Sequence, residues 1–194
     1  MNRDVYEDSI ILIGPSGAGK STVGEKLAKC LNMKRVCLDG IANNARKNGI
    51  RARISEKAIS EGKDPRDEFN LAMIHTLIEM AKEYNHPGIT DFGAGHAVFN
   101  TQDGLKRAKT LLKDFKNIVL LLPCRDKNQA LQIMRNRSTG DTRDNANFLD
   151  NPSYQHLATM TIYTDEKSPQ EIADMILKEI TQRKKKEQNM GEME

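Results

Sequence analysis

Gly14-Pro15-Ser16-Gly17-Ala18-Gly19-Lys20-Ser21 fits G-x-x-x-x-G-K-[ST], the pattern of a loop that wraps a phosphate group. Its glycines let the backbone fold tightly enough to turn N–H groups toward an anion that side chains would obstruct. Lys20 supplies a point charge for the β- and γ-phosphates of a nucleotide, and the Ser21 hydroxyl suits Mg²⁺. Just before the loop, Ser9-Ile10-Ile11-Leu12-Ile13 is an apolar run of strand length. Just after it, Thr22 to Leu31 is helical in pattern, with Val23, Leu27, Ala28 and Leu31 on one face. A strand, a Gly-rich turn and a helix whose positive end faces the anion are what phosphate binding needs. A Gly-rich turn with no ligand is the plainer reading, and the flanking strand and helix argue against it.

Size and composition agree with that start. A chain of 194 residues suits one α/β domain with a substantial core. Hydrophobic residues make up 38% and charged residues 29%, which fits a water-exposed domain with long polar helices. No apolar run approaches membrane-spanning length, and Met1 to Asp8 has no signal-peptide pattern. Cys30, Cys37 and Cys124 are widely spaced, lie in or beside apolar segments, and read as buried free thiols in a reducing cytoplasm rather than disulfides or a metal site. The net charge of +3 includes the run Arg183 to Lys186, so nothing here demands nucleic acid.

Outward from the loop, strands and helices alternate. Arg35 to Leu38 reads as a second buried strand ending at Asp39. A carboxylate there, opposite a phosphate loop, serves as general base or metal partner; a helix N-cap is the structural alternative. Gly40 to Gly62 is polar, with helical pieces broken near Gly49. A long helix starts at Asp64-Pro65 and runs to Tyr84, with Arg66 in its first turn. A cation is unfavourable at that end, so Arg66 has either an anionic ligand or a surface partner in Asp64 or Asp67. Ile89-Thr90-Asp91 is a third strand, followed by a second Gly-rich turn, Phe92-Gly93-Ala94-Gly95-His96. Asp91 fits a carboxylate that holds Mg²⁺ through water, and the glycines allow backbone N–H groups near a substrate.

Asn117 to Leu122 is the most central strand, and Asp126 to Arg137 a helix. Residues 138–150 read as a mobile polar lid, with Arg135, Arg137 and Arg143 at its entry or within it. Met160 to Tyr163 is the fifth strand. Ser168-Pro169-Gln170-Glu171 is a capping box opening the last helix. The expected architecture is a three-layer α/β/α P-loop NTPase fold with a five-stranded parallel sheet and a short lid. It forms one domain over 1–184, and 185–194 is a charged tail, expected to be disordered.

The segments Ile11 to Gly24, Leu27-Ala28 and Leu31-Asn32-Met33 resemble the opening of shikimate kinases. Asn151-Pro152-Ser153-Tyr154, Ala158, Thr161-Ile162 and Thr164-Asp165 resemble that family's closing segment. The resemblance implies a nucleoside-monophosphate-kinase-like fold and phosphoryl transfer from MgATP to a hydroxyl of a small metabolite. It implies that Gly14, Ser16, Gly17, Ala18, Gly19, Lys20, Ser21 and Thr22 hold the phosphates, with Arg135 and Pro169 flanking adenine. It makes Lys20, Asp39 and Arg143 the catalytic groups and assigns Asp39, Arg66, Gly93, Ala94 and Gly95 to the acceptor. Ser21, Asp39 and Asp91 are the expected metal partners. ATP, Mg²⁺ and a small hydroxylated metabolite are then the ligands of a cytoplasmic monomer or weak dimer, with no nucleic acid and no membrane.

Two positions depart from the family pattern. Cys37 stands where the family has the first of two aspartates. Asp150 stands where it has a second carboxylate-binding arginine, which implies an acceptor that is neutral or presents a cationic group to Asp150. A nucleotide or nucleoside kinase is the nearest rival, although Ala94-Gly95 follows Asp91-Phe92-Gly93 where adenylate-kinase-like chains have Pro and Arg. An NTP-binding regulatory protein with little turnover is the rival from another class.

Overall fold

A computed structural model of the chain describes residues 4–137 and 141–191. Five parallel strands, β1 (Ile10–Ile13), β2 (Lys34–Cys37), β3 (Gly88–Asp91), β4 (Asn117–Leu122) and β5 (Met160–Tyr163), form one sheet in the order β2-β3-β1-β4-β5. Both faces are covered, as an all-parallel sheet requires. β1 shows why: its four residues are all at most 1% exposed, and its side chains alternate between two cores. Ile11 and Ile13 enter one core with Leu38, Phe69, Ile74 and Phe92, whereas Ile10 and Leu12 enter the other with Val23, Leu27, Met134 and Ile176.

The helices sort accordingly. α1 is Asp4–Asp8, α2 Lys20–Leu31, α3 Leu38–Lys47, α4 Ile50–Ser60, α5 Pro65–Tyr84 and α6 Gln102–Leu112. α7 is Lys127–Arg137, α8 Asn145–Asp150, α9 Ser153–Leu157 and α10 Pro169–Gly191. α2, α7 and α10 cover the Ile10/Leu12 face; α3, α5, α6 and α9 cover the other. The starts of several helices follow the sequence closely. Asp64 caps α5 by accepting from the backbone N–H groups of Arg66 and Asp67, each at 2.9 Å. Ser168 N–H donates to Glu171 Oε2 at 2.8 Å, the back half of the capping box.

Three expectations need correction. α10 does not end near 184 but continues to Gly191, tied to the body by Arg183 on the Thr159 carbonyl and Lys184 on Asp8. Of the expected lid, 138–140 lie outside the described residues, and the second half is helix α8 with Asn145 and Phe148 buried. Leu38 belongs to α3 rather than β2, so Asp39 sits in a helix's first turn and the N-cap residue is Cys37. Among the described residues no helix is long and apolar enough to cross a membrane.

Candidate active site

The residues that follow β1, β2, β3 and β5 line one cleft of about 740 Å³ at the C-terminal edge of the sheet, where parallel α/β sheets place ligands. The loop after β1 forms its floor. Gly14 lies at φ +139° with Leu121 O only 2.5 Å from where a Cβ would stand, so the strand-to-loop exit admits no side chain. Gly17 and Gly19 also adopt positive φ, at 79° and 92°. Ser16 to Thr22 line the cleft. The arrangement fits the phosphates of a nucleotide: a positive-φ backbone cradle at the start of α2, whose dipole favours an anion.

Lys20 Nζ donates to Gly14 O at 2.8 Å and Pro15 O at 2.9 Å, arched back over the loop. Burial pushes its pKa down to about 8, against the opposing pull of Asp39 and Asp91. The Ser21 hydroxyl donates to Asp91 Oδ2 at 3.0 Å. Asp91 is 3% exposed and already engaged: Arg35 Nε lies 2.9 Å from Oδ1, and Arg35 NH2 donates to Oδ2 at 3.0 Å. Arg35 reaches Asp91 by passing Gly24 of α2, where a Cβ would stand 3.1 Å from Nε. The carboxylate expected to face a metal is therefore spoken for by a guanidinium. Asp39, by contrast, is exposed and lines the cleft. Among the described residues no group of three His, Cys, Asp or Glu side chains makes a metal cage.

Beside the loop, α3, α4, α5 and the 3-10 turn Ala94–Ala97 pack together on the side where the acceptor is expected. Gly93 lies directly under the Asp39 carboxylate: a Cβ there would sit 1.8 Å from Oδ1. Gly95 lies against Arg66, with NH2 3.0 Å from the corresponding Cβ position. Arg66 stacks on Phe148, 5.1 Å from the ring centroid, and among the described residues has no carboxylate in an ion pair with it. Arg51 stacks on Phe69 at 5.0 Å, and burial followed by Arg46 and Arg66 lowers its pKa. Arg46 lines the cleft, and among the described residues its guanidinium bonds to Asn43 and to no carboxylate. Buried Tyr154 anchors the turn by donating to Ala94 O, and burial raises the pKa of that hydroxyl far above its ordinary value.

Three expected residues are placed differently. Arg135 is exposed away from the cleft; Arg137 lines it instead, bonded to Thr164 at 3.2 Å and Asp165 at 3.1 Å, with Pro169 nearby as expected. Arg143 is exposed and held by Asp141 through Nε and NH2, not over the phosphate loop. Asp150 pairs with Lys127 and does not line the cleft. Sequence reasoning also passed over Asn145, which is 1% exposed: its Oδ1 accepts from Ser16 N–H at 3.0 Å and its Nδ2 donates to Ser16 O at 2.9 Å.

Comparisons with known proteins agree with this geometry. The sequence model of the family described as shikimate kinase matches residues 16–181. A shikimate kinase of Thermobifida fusca is 31% identical over 175 residues, covering 88% of this chain and 93% of that protein. A shikimate kinase structure from Acinetobacter baumannii in complex with shikimate superposes with TM-score 0.62 at 23% identity, covering 93% of this chain and 97% of that one. A gluconokinase from Sinorhizobium meliloti 1021 gives TM-score 0.57 at 19% identity, covering 91% and 93%.

Proposed function

The chain belongs to the shikimate kinase family and is an ATP-dependent small-molecule kinase, and from that premise we propose that its acceptor is a small hydroxylated acid. The observation that carries this reading is the pairing, in one cleft, of the Lys20 loop with Asp39 and Arg46, with Arg51 and Arg66 close enough to act on the His96 that adjoins Asp39. In the reaction the acceptor oxygen forms a bond to the γ-phosphorus, the bond to the β,γ-bridging oxygen breaks, and ADP leaves with that electron pair. Asp39 receives the acceptor proton. Lys20 and the loop N–H groups orient the phosphates and balance their charge. Mg²⁺ fits beside Ser21 and Asp39 and, when bound, neutralises developing phosphate charge. Arg137 and Pro169 border the nucleotide's base. The free thiols of Cys30, Cys37 and Cys124 suit a reducing cytoplasm.

The test is steady-state phosphorylation with MgATP across shikimate, gluconate, neutral polyols and nucleosides, for the native chain and for Lys20→Ala. Transfer to a hydroxy acid that vanishes in a folded Lys20→Ala protein is expected. ATP binding with no transfer to any acceptor supports instead a nucleotide-binding protein with little turnover.

A further inference from the structure

His96 has no role in the reading above, yet it is the most tightly placed titratable group beside Asp39. It is 5% exposed, and its Nδ1 is buried with no hydrogen-bond partner among the described residues. That atom lies 3.6 Å from Asp39 Oδ1. The ring is held from two sides: its backbone N–H donates to Gly93 O at 2.9 Å, and its face is tilted on Phe69 with centroids 6.2 Å apart. Gly93, at the other end of the same turn, forms the seat of the Asp39 carboxylate. One short turn therefore presents both a floor and a polar neighbour to the same carboxylate.

We propose that His96 is a positioning residue for Asp39: its Nδ1–H donates to the Asp39 carboxylate and fixes it on Gly93, so that the other oxygen meets the acceptor hydroxyl. This rests on the reading of Asp39 as the group that receives the acceptor's proton. A neutral imidazole carries one N–H and one lone pair, and a carboxylate beside Nδ1 selects the Nδ1–H tautomer. The 3.6 Å separation is longer than a formed hydrogen bond, as such contacts are before the reacting complex assembles. The acceptor proton passes to Asp39 and then to solvent, while His96 keeps its own proton throughout.

The experiment compares His96→Phe, His96→Asn, Asp39→Asn and the double variant Asp39→Asn/His96→Phe, with MgATP and shikimate as substrates. Phe keeps the ring packing and removes the donor; Asn restores an N–H near the Nδ1 position. His96→Phe is expected to lower kcat about 10–100-fold, the usual effect of losing a group that orients a reacting ligand, with KM for MgATP unchanged. His96→Asn should recover most of that loss, and in the Asp39→Asn background His96→Phe should add nothing further. An unchanged kcat in folded His96→Phe, beside a large loss in Asp39→Asn, overturns the proposal and leaves the role of Asp39 standing. An unchanged kcat in Asp39→Asn removes the underlying reading instead.

A measurement independent of turnover uses imidazole ¹⁵N spectra of the native protein and of Asp39→Asn. The Nδ1–H tautomer at His96, with a resonance that moves in Asp39→Asn, supports the proposal. The Nε2–H tautomer, or no response to Asp39→Asn, overturns it.

Discussion

Lys20 shows how far a single residue's chemistry follows from its motif and where the fold adds to it. The motif names the ammonium; the fold places it where burial pushes its pKa down to about 8. Nucleotide binding requires the charged form. An ordinary lysine stays charged to about pH 10, so affinity would be flat across the neutral range. Here the free protein releases that proton as pH rises through about 8, so the nucleotide Kd is expected to climb, approaching tenfold per pH unit above it. Calorimetric titration with a non-hydrolysable ATP analogue from about pH 6.5 to about pH 9.5 checks this; a constant Kd to the upper limit contradicts it. Asp39→Asn should lower kcat about 10²–10⁴-fold, the range for lost acid–base catalysis, without lowering ATP affinity comparably. The motif picked out Lys20 and Ser21, and the end of the second strand made Asp39 a candidate. Arg137 was legible too, but on a signal left unused. Ala130 and Met134 mark the buried stripe of α7, and Arg137 falls three residues after Met134 on that side, whereas Arg135 is about 200° away from it around the helix.

The strand and helix order could be read directly because each element carried its own period or cap, as in the buried run of β1 and the Asp64 cap of α5. Contacts between elements could not. Arg35 reads as an ordinary strand residue until β2 is seen beside β3 and Gly24 is seen leaving room for its side chain. The helix through Gly191 was missed because charge was read as disorder, although Lys, Arg, Glu and Gln are good helix formers. The Arg35–Asp91 pair yields a test at this scale. Arg35→Ala leaves a buried carboxylate without its cation and should cost about 3–5 kcal/mol of unfolding free energy. Asp91→Asn in the same background should restore much of it, because the uncompensated charge is gone. Urea unfolding of the two single variants and the double variant measures this; simple additivity would mean that Arg35 stabilises by packing rather than by charge.

Across the whole molecule, the charge distribution bears on what the cleft accepts, and the pairing of Asp150 with Lys127 removes the ground on which the sequence pointed to a neutral or cationic acceptor. Asp150 was legible as an acid in an arginine's place, but its partner Lys127 is 23 residues away on α7 and outside any local pattern. Asp150 pairs with Lys127 outside the cleft, whereas Arg46, Arg51 and Arg66 lie close enough to act on the buried His96 against Asp39, on the side proposed for the acceptor. Three guanidinium groups against one carboxylate favour an anion. In thermal-shift measurements with the non-hydrolysable analogue and Mg²⁺ present, shikimate at 100 times its Kd should add about 2.7 kcal/mol. For a chain of this size that is a rise of roughly 5–10 °C in Tm. An amino-bearing polyol at the same concentration should add little. Asp150→Arg should leave shikimate affinity within about threefold, since the pair it breaks is exposed and such pairs contribute less than about 1 kcal/mol. Stronger stabilisation by the amino polyol, or a gain of about tenfold or more in shikimate affinity on Asp150→Arg, would show that Asp150 turns into the cleft when the acceptor binds. The pairing with Lys127 would then be the resting position of a specificity residue.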